Sequence, residues 1–200
     1  MKPELEFWYE FASTYSYISV MRIDELAKRE GVLIKWRPFL LGPIFKSQGW
    51  ATSPFNIYES KGRYMWRDIE RLADKYGIPW EKPSEFPRNG LRVSRVALVA
   101  EQEGWCEEFS RKVFQANFAQ DKDISDEAVI ASILDSIGKS SAQVIERAKS
   151  DETKLKLRAQ TEQAMEKGIF GAPTFSAGDE LFWGNDRLED AIIWVKSERI

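Results

Sequence analysis

The stretch Phe170-Gly171-Ala172-Pro173-Thr174-Phe175-Ser176-Ala177-Gly178-Asp179-Glu180-Leu181-Phe182-Trp183-Gly184-Asn185-Asp186-Arg187-Leu188 carries two strands and a turn in a short length of chain. Pro173–Ala177 reads as a strand. Gly178-Asp179 is a hairpin turn signal, and Glu180–Trp183 reads as the returning strand. Gly184-Asn185-Asp186 then leads into a helix over Arg187–Glu198. The pattern is β-β-α.

Working outward, the complementary pattern stands at the start of the chain. Glu4–Glu10 reads as a buried strand carrying Leu5, Phe7, Trp8 and Tyr9. Phe11-Ala12-Ser13-Thr14-Tyr15-Ser16-Tyr17 is a turn. Ser16–Glu30 is a helix, with Tyr17, Val20, Met21, Asp24 and Ala27 at helical spacing and Gly31 as its stop. Val32–Trp36 is a second strand, stopped by Pro38. Such a β-α-β unit is parallel and right-handed. Between the two ends, residues 38–62 read as irregular. Tyr64–Tyr76 is amphipathic through Met65, Ile69, Leu72 and Tyr76, and Pro79–Gly90 is a connector. Helices follow at Leu91–Glu103 and Trp105–Ala119. Another is N-capped by Ser125 and ends at Gly138, and two more are capped by Ser141 and Ser150, the last running to Gly168. The expectation is one small α/β layer structure, residues 1–42 with 169–200, interrupted by an all-helical insertion over 43–168.

Composition narrows the chemistry. The 200 residues are 43% hydrophobic and 13% aromatic, enough for a sizeable core, and the net charge is −3. That balance gives no support for nucleic acid or an anionic membrane as partner. There is no histidine and one cysteine, Cys106. The common zinc sites are therefore excluded, as are Ser-His-Asp and Cys-His nucleophile systems and any intramolecular disulfide. Cys106 reads as a small hydrophobe. MKPELEF lacks an apolar signal region and no apolar run reaches membrane-spanning length, so the chain reads as soluble and cytoplasmic.

Three motifs then stand in order: FASTYSY (11–17), FGAPTF (170–175) and LFWGNDRL (181–188). In this order, over essentially the whole length, the chain resembles the DsbA-like branch of the thioredoxin superfamily. Within it the chain is similar to the 2-hydroxychromene-2-carboxylate isomerases and the related kappa-class glutathione transferases. The resemblance implies a thioredoxin-like fold with a helical insertion, bound glutathione, a homodimer, and serine in place of the attacking cysteine. It also implies a glutathione-dependent cis-trans isomerisation of a small aromatic carboxylate, between 2-hydroxychromene-2-carboxylate and trans-o-hydroxybenzylidenepyruvate. The alternatives are a kappa-type transferase or peroxidase, and a non-catalytic glutathione- or peptide-binding protein. A dithiol oxidoreductase is disfavoured, because Ser13 and Ser16 stand where Cys-x-x-Cys would.

The residues suit that chemistry. Ser13 precedes a helix, where free N–H groups and the dipole favour an anion. With no base to activate it, Ser13 is no nucleophile, but it can donate a hydrogen bond to a thiolate brought by glutathione. On the resemblance, Pro173 is cis and Ala172 offers its backbone to glutathione as a short strand. Asn185 and Asp186 open the last helix, where Asn185 suits a carboxylate and Asp186 the γ-glutamyl ammonium. In the segment that would cover the site, Arg88 and Lys46 are candidate cations for the substrate carboxylate, and Trp50 a stacking surface. Arg63, Arg67, Arg92 and Trp66 are weaker candidates, and Thr52 and Asn56, with Trp50, could supply a loop contact to glutathione. Thr14 replaces the proline common in the family's first motif, which loosens the turn and leaves both serines in place.

Overall fold

Phe7, Trp8 and Tyr9 are fully buried, which requires the strand that carries them to be central. The computed structural model describes residues 2–197 and places it so. Strand β1 (Glu4–Tyr9) leads to helix α1 (Thr14–Glu30) and strand β2 (Leu33–Pro38). Helices α2 (Leu41–Ser47), α3 (Pro54–Ile57), α4 (Glu59–Tyr76), α5 (Leu91–Glu103), α6 (Cys106–Ala119), α7 (Glu127–Ser136), α8 (Ser141–Lys149) and α9 (Asp151–Glu166) follow. Strands β3 (Thr174–Ala177) and β4 (Glu180–Trp183), a 3-10 turn at Asn185–Arg187 and helix α10 (Leu188–Lys196) complete the order. The sheet runs β2-β1-β3-β4. β1 is parallel to β2, with Phe7 opposite Trp36, and antiparallel to β3, with Phe7 opposite Phe175. β3 and β4 form the hairpin, Phe175 opposite Phe182. This is the thioredoxin-like α/β fold that the motifs imply.

Alternation along β1 assigns the two faces. Leu5, Phe7 and Tyr9 enter the large core with α1, α10 and helices of the insertion, Phe7 stacking on Tyr9 at 5.0 Å and on Phe175 at 5.3 Å. Trp8 points the other way, into a smaller cluster with Phe39, Ile44, Ala164 and Ile169. The large core runs without a break into the helical segment, where Phe114 lies 5.1 Å from Phe11 and Phe118 lies 5.5 Å from Tyr17. The helices thus share the sheet's core. Each fully buried aromatic side chain stabilises the fold by about 1.5–3 kcal/mol.

Local readings differ from the structure in five places. Pro38 does not stop β2 but belongs to it, opposite Tyr9. β2 is an edge strand, and Phe39 rather than Pro38 supplies the amide that bonds the Tyr9 carbonyl, so the missing N–H faces outward. Residues 38–62 are not irregular: they hold α2, α3 and the start of α4, whose short lengths hide the helical period. The cap of α7 is Asp126, which accepts the Ala128 N–H, while Ser125 bonds Asp123. Ser140 rather than Ser141 precedes α8, whereas Ser150 caps α9 as expected. The last helix begins at Leu188, and Glu198, in its expected span, lies outside the described residues.

Candidate functional site

β1 delivers the chain to a tight turn, Glu10–Ala12, and Ser13 caps α1 with extended backbone angles of −80° and 116°. Its Oγ accepts the Ser16 N–H at 3.1 Å, satisfying one of the free amides of the first turn. The same hydroxyl donates to the Ala172 carbonyl at 2.9 Å. This bond joins the first motif to the second across 159 residues of chain. The Ala172-Pro173 peptide is cis. The third motif is tied to the second by the Gly184 N–H on the Pro173 carbonyl, at 2.9 Å. Ser13, Ala172, Pro173 and Gly184 thus form one junction.

Two glycines allow the close approach. Gly184 has φ +109°, and a Cβ there would stand 2.5 Å from Asp186 Oδ1. A Cβ on Gly171 would stand 2.4 Å from Trp183 Nε1, so the indole lies on the bare backbone ahead of Ala172. Trp183 and Phe170 are half-exposed and pair at 4.8 Å.

Asn185 and Asp186 behave differently from one another. Asn185 is buried, and its Oδ1 accepts from Ser19 Oγ at 3.2 Å and Arg22 Nη1 at 3.0 Å, both on α1. Its amide NH2 is thereby oriented by α1. Arg22 also pairs with Glu189 and covers the Tyr76 ring at 3.8 Å. Asp186 has a side chain 77% exposed, 3.8 Å from Arg187. Tyr15, in the first turn of α1, donates to Asp68 on α4 at 2.9 Å and packs on Phe55 of α3. Burial first, then the Asp68 hydrogen bond and the charges of Asp68 and Asp186, hold its phenol well above the ordinary range.

Arg88 corrects an expectation. It is 5% exposed, and both terminal nitrogens of its guanidinium are already committed. Nη1 donates to Asn117 O, Asn117 Oδ1 and Lys122 O, while Nη2 reaches Ser84, the Asp121 carbonyl and the Asp121 carboxylate. A side chain so engaged is no free clamp for a substrate carboxylate. It orients Asn117, whose Nδ2 donates to the Phe11 carbonyl at 3.0 Å, and so braces the turn before Ser13.

The other cations and aromatics are placed as follows. Lys46 is exposed on the last turn of α2, and Ile44 of that helix shares a cluster with Ala172. Trp50 is partly buried against Phe45 at 5.7 Å. Asn56 Nδ2 bonds Thr52 at 3.4 Å and the Phe86 carbonyl at 3.3 Å. Arg67 pairs with Glu70, Arg63 with Glu59, and Arg92 reaches the Ser125 carbonyl. Trp66 packs on Phe86 and Trp80 beside the core.

Sequence reasoning missed Glu10, Tyr15, Asp68 and Asn117. Glu10 had a faint signal: an acid directly after the aromatic row Phe7-Trp8-Tyr9, three residues before Ser13. Its carboxyl is pushed up to about 7 by burial, against the pull of the Ala12 amide. The chain's single thiol is held in its neutral form. Cys106 is buried beside Tyr9 and Ser110, and burial pushes it up to about 11. A groove of about 520 Å³ lined by Leu98, Glu101, Lys156 and Gln160 contains none of the motif residues, which meet instead at the partly exposed Ser13 and Ala172.

The family model of the DSBA-like thioredoxin domain matches residues 4–191. A 2-hydroxychromene-2-carboxylate isomerase of Sphingobium xenophagum is 28% identical over 190 residues, covering 94% of this chain and 96% of that protein. The kappa 1 glutathione S-transferase of Rattus norvegicus is 27% identical over 199 residues, covering 92% and 87%. A solved structure of 2-hydroxychromene-2-carboxylate isomerase superposes with a TM-score of 0.84 at 26% identity, covering 92% of this chain and 90% of that one.

Proposed function

Since the chain belongs to the DSBA-like thioredoxin family, we propose that it is a glutathione-dependent cis-trans isomerase of small aromatic carboxylates, of the 2-hydroxychromene-2-carboxylate kind. The observation that carries the reading is the junction of Ser13, Ala172, Pro173 and Gly184 at the start of α1, with a serine where a redox enzyme needs a thiol. The residues fit glutathione. Gly184 leaves a cradle that a Cβ would fill, Asp186 stands exposed beside it for an ammonium, and Asn185 has its carbonyl oxygen engaged so that its NH2 is left to donate to a carboxylate.

When bound, glutathione supplies a thiolate that adds reversibly to a conjugated double bond, which rotates while single. The chain holds that thiolate. Ser13 turns its O–H from the Ala172 carbonyl to the sulfur, exchanging a neutral hydrogen bond of about 1 kcal/mol for a charge-assisted one of about 1.5–3 kcal/mol. The amides of the α1 N-terminus add their partial positive charge. Ala172, relieved of the Ser13 hydroxyl, has its carbonyl free to accept a backbone amide. Lys46 is the cation and Trp50 the ring surface for the aromatic acid. No redox change occurs, so the absence of Cys-x-x-Cys costs nothing. Among the described residues no helix is long and apolar enough to cross a membrane. A cytoplasmic homodimer completes the proposal.

The test is a calorimetric titration with glutathione on the parent and on Asp186→Ala, followed by product analysis with a chromene carboxylate. Binding that weakens at least tenfold in the variant, about 1.4 kcal/mol, with thiol returned free after turnover, is the expected result. Thiol consumed into a conjugate would assign the transferase reading, which the rat relative also supports. No binding to the parent would overturn both.

A further inference from the structure

The chemistry above leaves Glu10 unused, yet the chain encloses its carboxyl with care. Glu10 is 8% exposed. Oε2 accepts the Ala12 N–H at 2.9 Å, and the Glu10 carbonyl accepts the Ser13 N–H at 2.9 Å, so both ends of the residue brace the turn that presents Ser13. Oε1 lies against Gly90, the residue that opens α5. A Cβ there would stand 2.7 Å from Oε1 and 3.3 Å from the Phe11 Cβ. Gly90 has φ −81°, which any residue adopts, so glycine serves here for room and not for backbone freedom. The fold keeps a slot for a carboxyl where an apolar side chain would cost less to bury.

Among the described residues no cation pairs with that carboxyl. Burial and the Ala12 amide are the two influences on its protonation. On the flanking segment, Arg88 is turned to Asp121 and Asn117, Arg92 reaches the Ser125 carbonyl, and Arg95 stands a turn further along α5. On the strand side, Tyr9 is bonded to Ser110 and Cys106. On α6, Asn117 faces the turn through the Phe11 carbonyl. An ionised Glu10 is therefore a buried charge with no cation bonded to it, beside the turn at which a thiolate forms.

Resting on the glutathione reading, we infer that Glu10 is a positioning residue whose carboxylate takes up a proton as the thiolate forms at Ser13. The step balances as a transfer of one proton: the thiol gives up its S–H proton, the Glu10 carboxylate becomes the neutral acid, and the charge of the site is unchanged. The link is electrostatic, since two negative charges close together in a low-dielectric setting are mutually exclusive, and no direct handover is needed. Release of glutathione as the thiol runs the same exchange backwards.

The test counts protons. Glutathione is titrated calorimetrically near pH 7 in buffers of different ionisation heat, on the parent and on Glu10→Gln. The parent releases fewer protons per glutathione bound than the variant, by up to about half a proton where Glu10 is half ionised. A loosened turn would change the affinity but not this count. In the parent alone, adding glutathione raises the infrared signal of protonated carboxyl, a readout that stands even if Glu10→Gln folds poorly. Equal proton release in both proteins, or no rise in that signal, overturns the inference while leaving glutathione binding intact. Absence of glutathione binding to the parent overturns the functional reading and this one with it.

Discussion

Replacing Arg88 by alanine separates two roles that sequence alone leaves open. In the structure the guanidinium is a bracket inside the helical segment. Its removal orphans Asn117 O and Asn117 Oδ1 on a residue 1% exposed. Each buried acceptor left without a donor costs about 1–3 kcal/mol. Asp121, on the surface side, is simply rehydrated and adds little. The sum for Arg88→Ala is about 2–6 kcal/mol, a large share of the about 5–15 kcal/mol that holds a domain together. Guanidinium-chloride unfolding of the parent and the variant measures it. Kinetics on the folded fraction then discriminate. A bracket acts through Asn117 and the Phe11 carbonyl on the placement of Ser13, so kcat falls while KM for the aromatic acid holds. A variant with parental stability and a raised KM would refute this and restore Arg88 as a carboxylate clamp.

Other substitutions probe the junction. Ser13→Ala removes the Ser16 cap and lowers stability by about 1 kcal/mol; turnover should fall about tenfold to a hundredfold for loss of a charge-assisted hydrogen bond, and unchanged turnover would exclude its role. Gly184→Ala forces a side chain into φ +109° and against Asp186 Oδ1, so stability drops by about 1–3 kcal/mol and glutathione affinity falls with it, both read in one calorimetric series. Glu10 gives the parent a pH dependence. The folded chain holds its proton up to about 7, while the unfolded chain loses it near the ordinary 4.5, so rising pH favours unfolding across that window. The total is about 3 kcal/mol, present as stability below that window and lost above it; Glu10→Gln abolishes this component, and identical pH profiles for parent and variant would contradict it.

The fold was legible because its deciding features are local. The hairpin at Gly178-Asp179, the aromatic row Phe7-Trp8-Tyr9 and the cap at Ser13 each announce themselves within a few residues, and the structure joins them as the motifs imply. What escaped depends on distance. Whether Arg88 faces solvent or Asn117 is settled by α6, nearly thirty residues further on, and no periodicity encodes it. The short helices α2 and α3 offer too few turns for an apolar stripe to repeat, and Pro38 reads as a stop until β2 is known to be an edge. Glu10 follows the aromatic row, but the slot that Gly90 keeps for its carboxyl comes from a distant part of the chain.

The place of β1 between β2 and β3 has a bearing on synthesis. Its partner on one side is made within a few dozen residues, while Trp8 meets Ser176 only across 168 residues. At about 5–20 residues per second, the ribosome leaves that inner edge without its neighbour for about 10–30 s. An apolar strand with one open edge is a template for pairing with another nascent chain. Through that interval the aromatic row has the early-made Trp36, Phe11 and Phe114 to pack on, which covers its face but not its edge. β2, the turn and α6 thus cover one face of β1 during translation, and the arrival of Thr174–Ala177 closes its open edge.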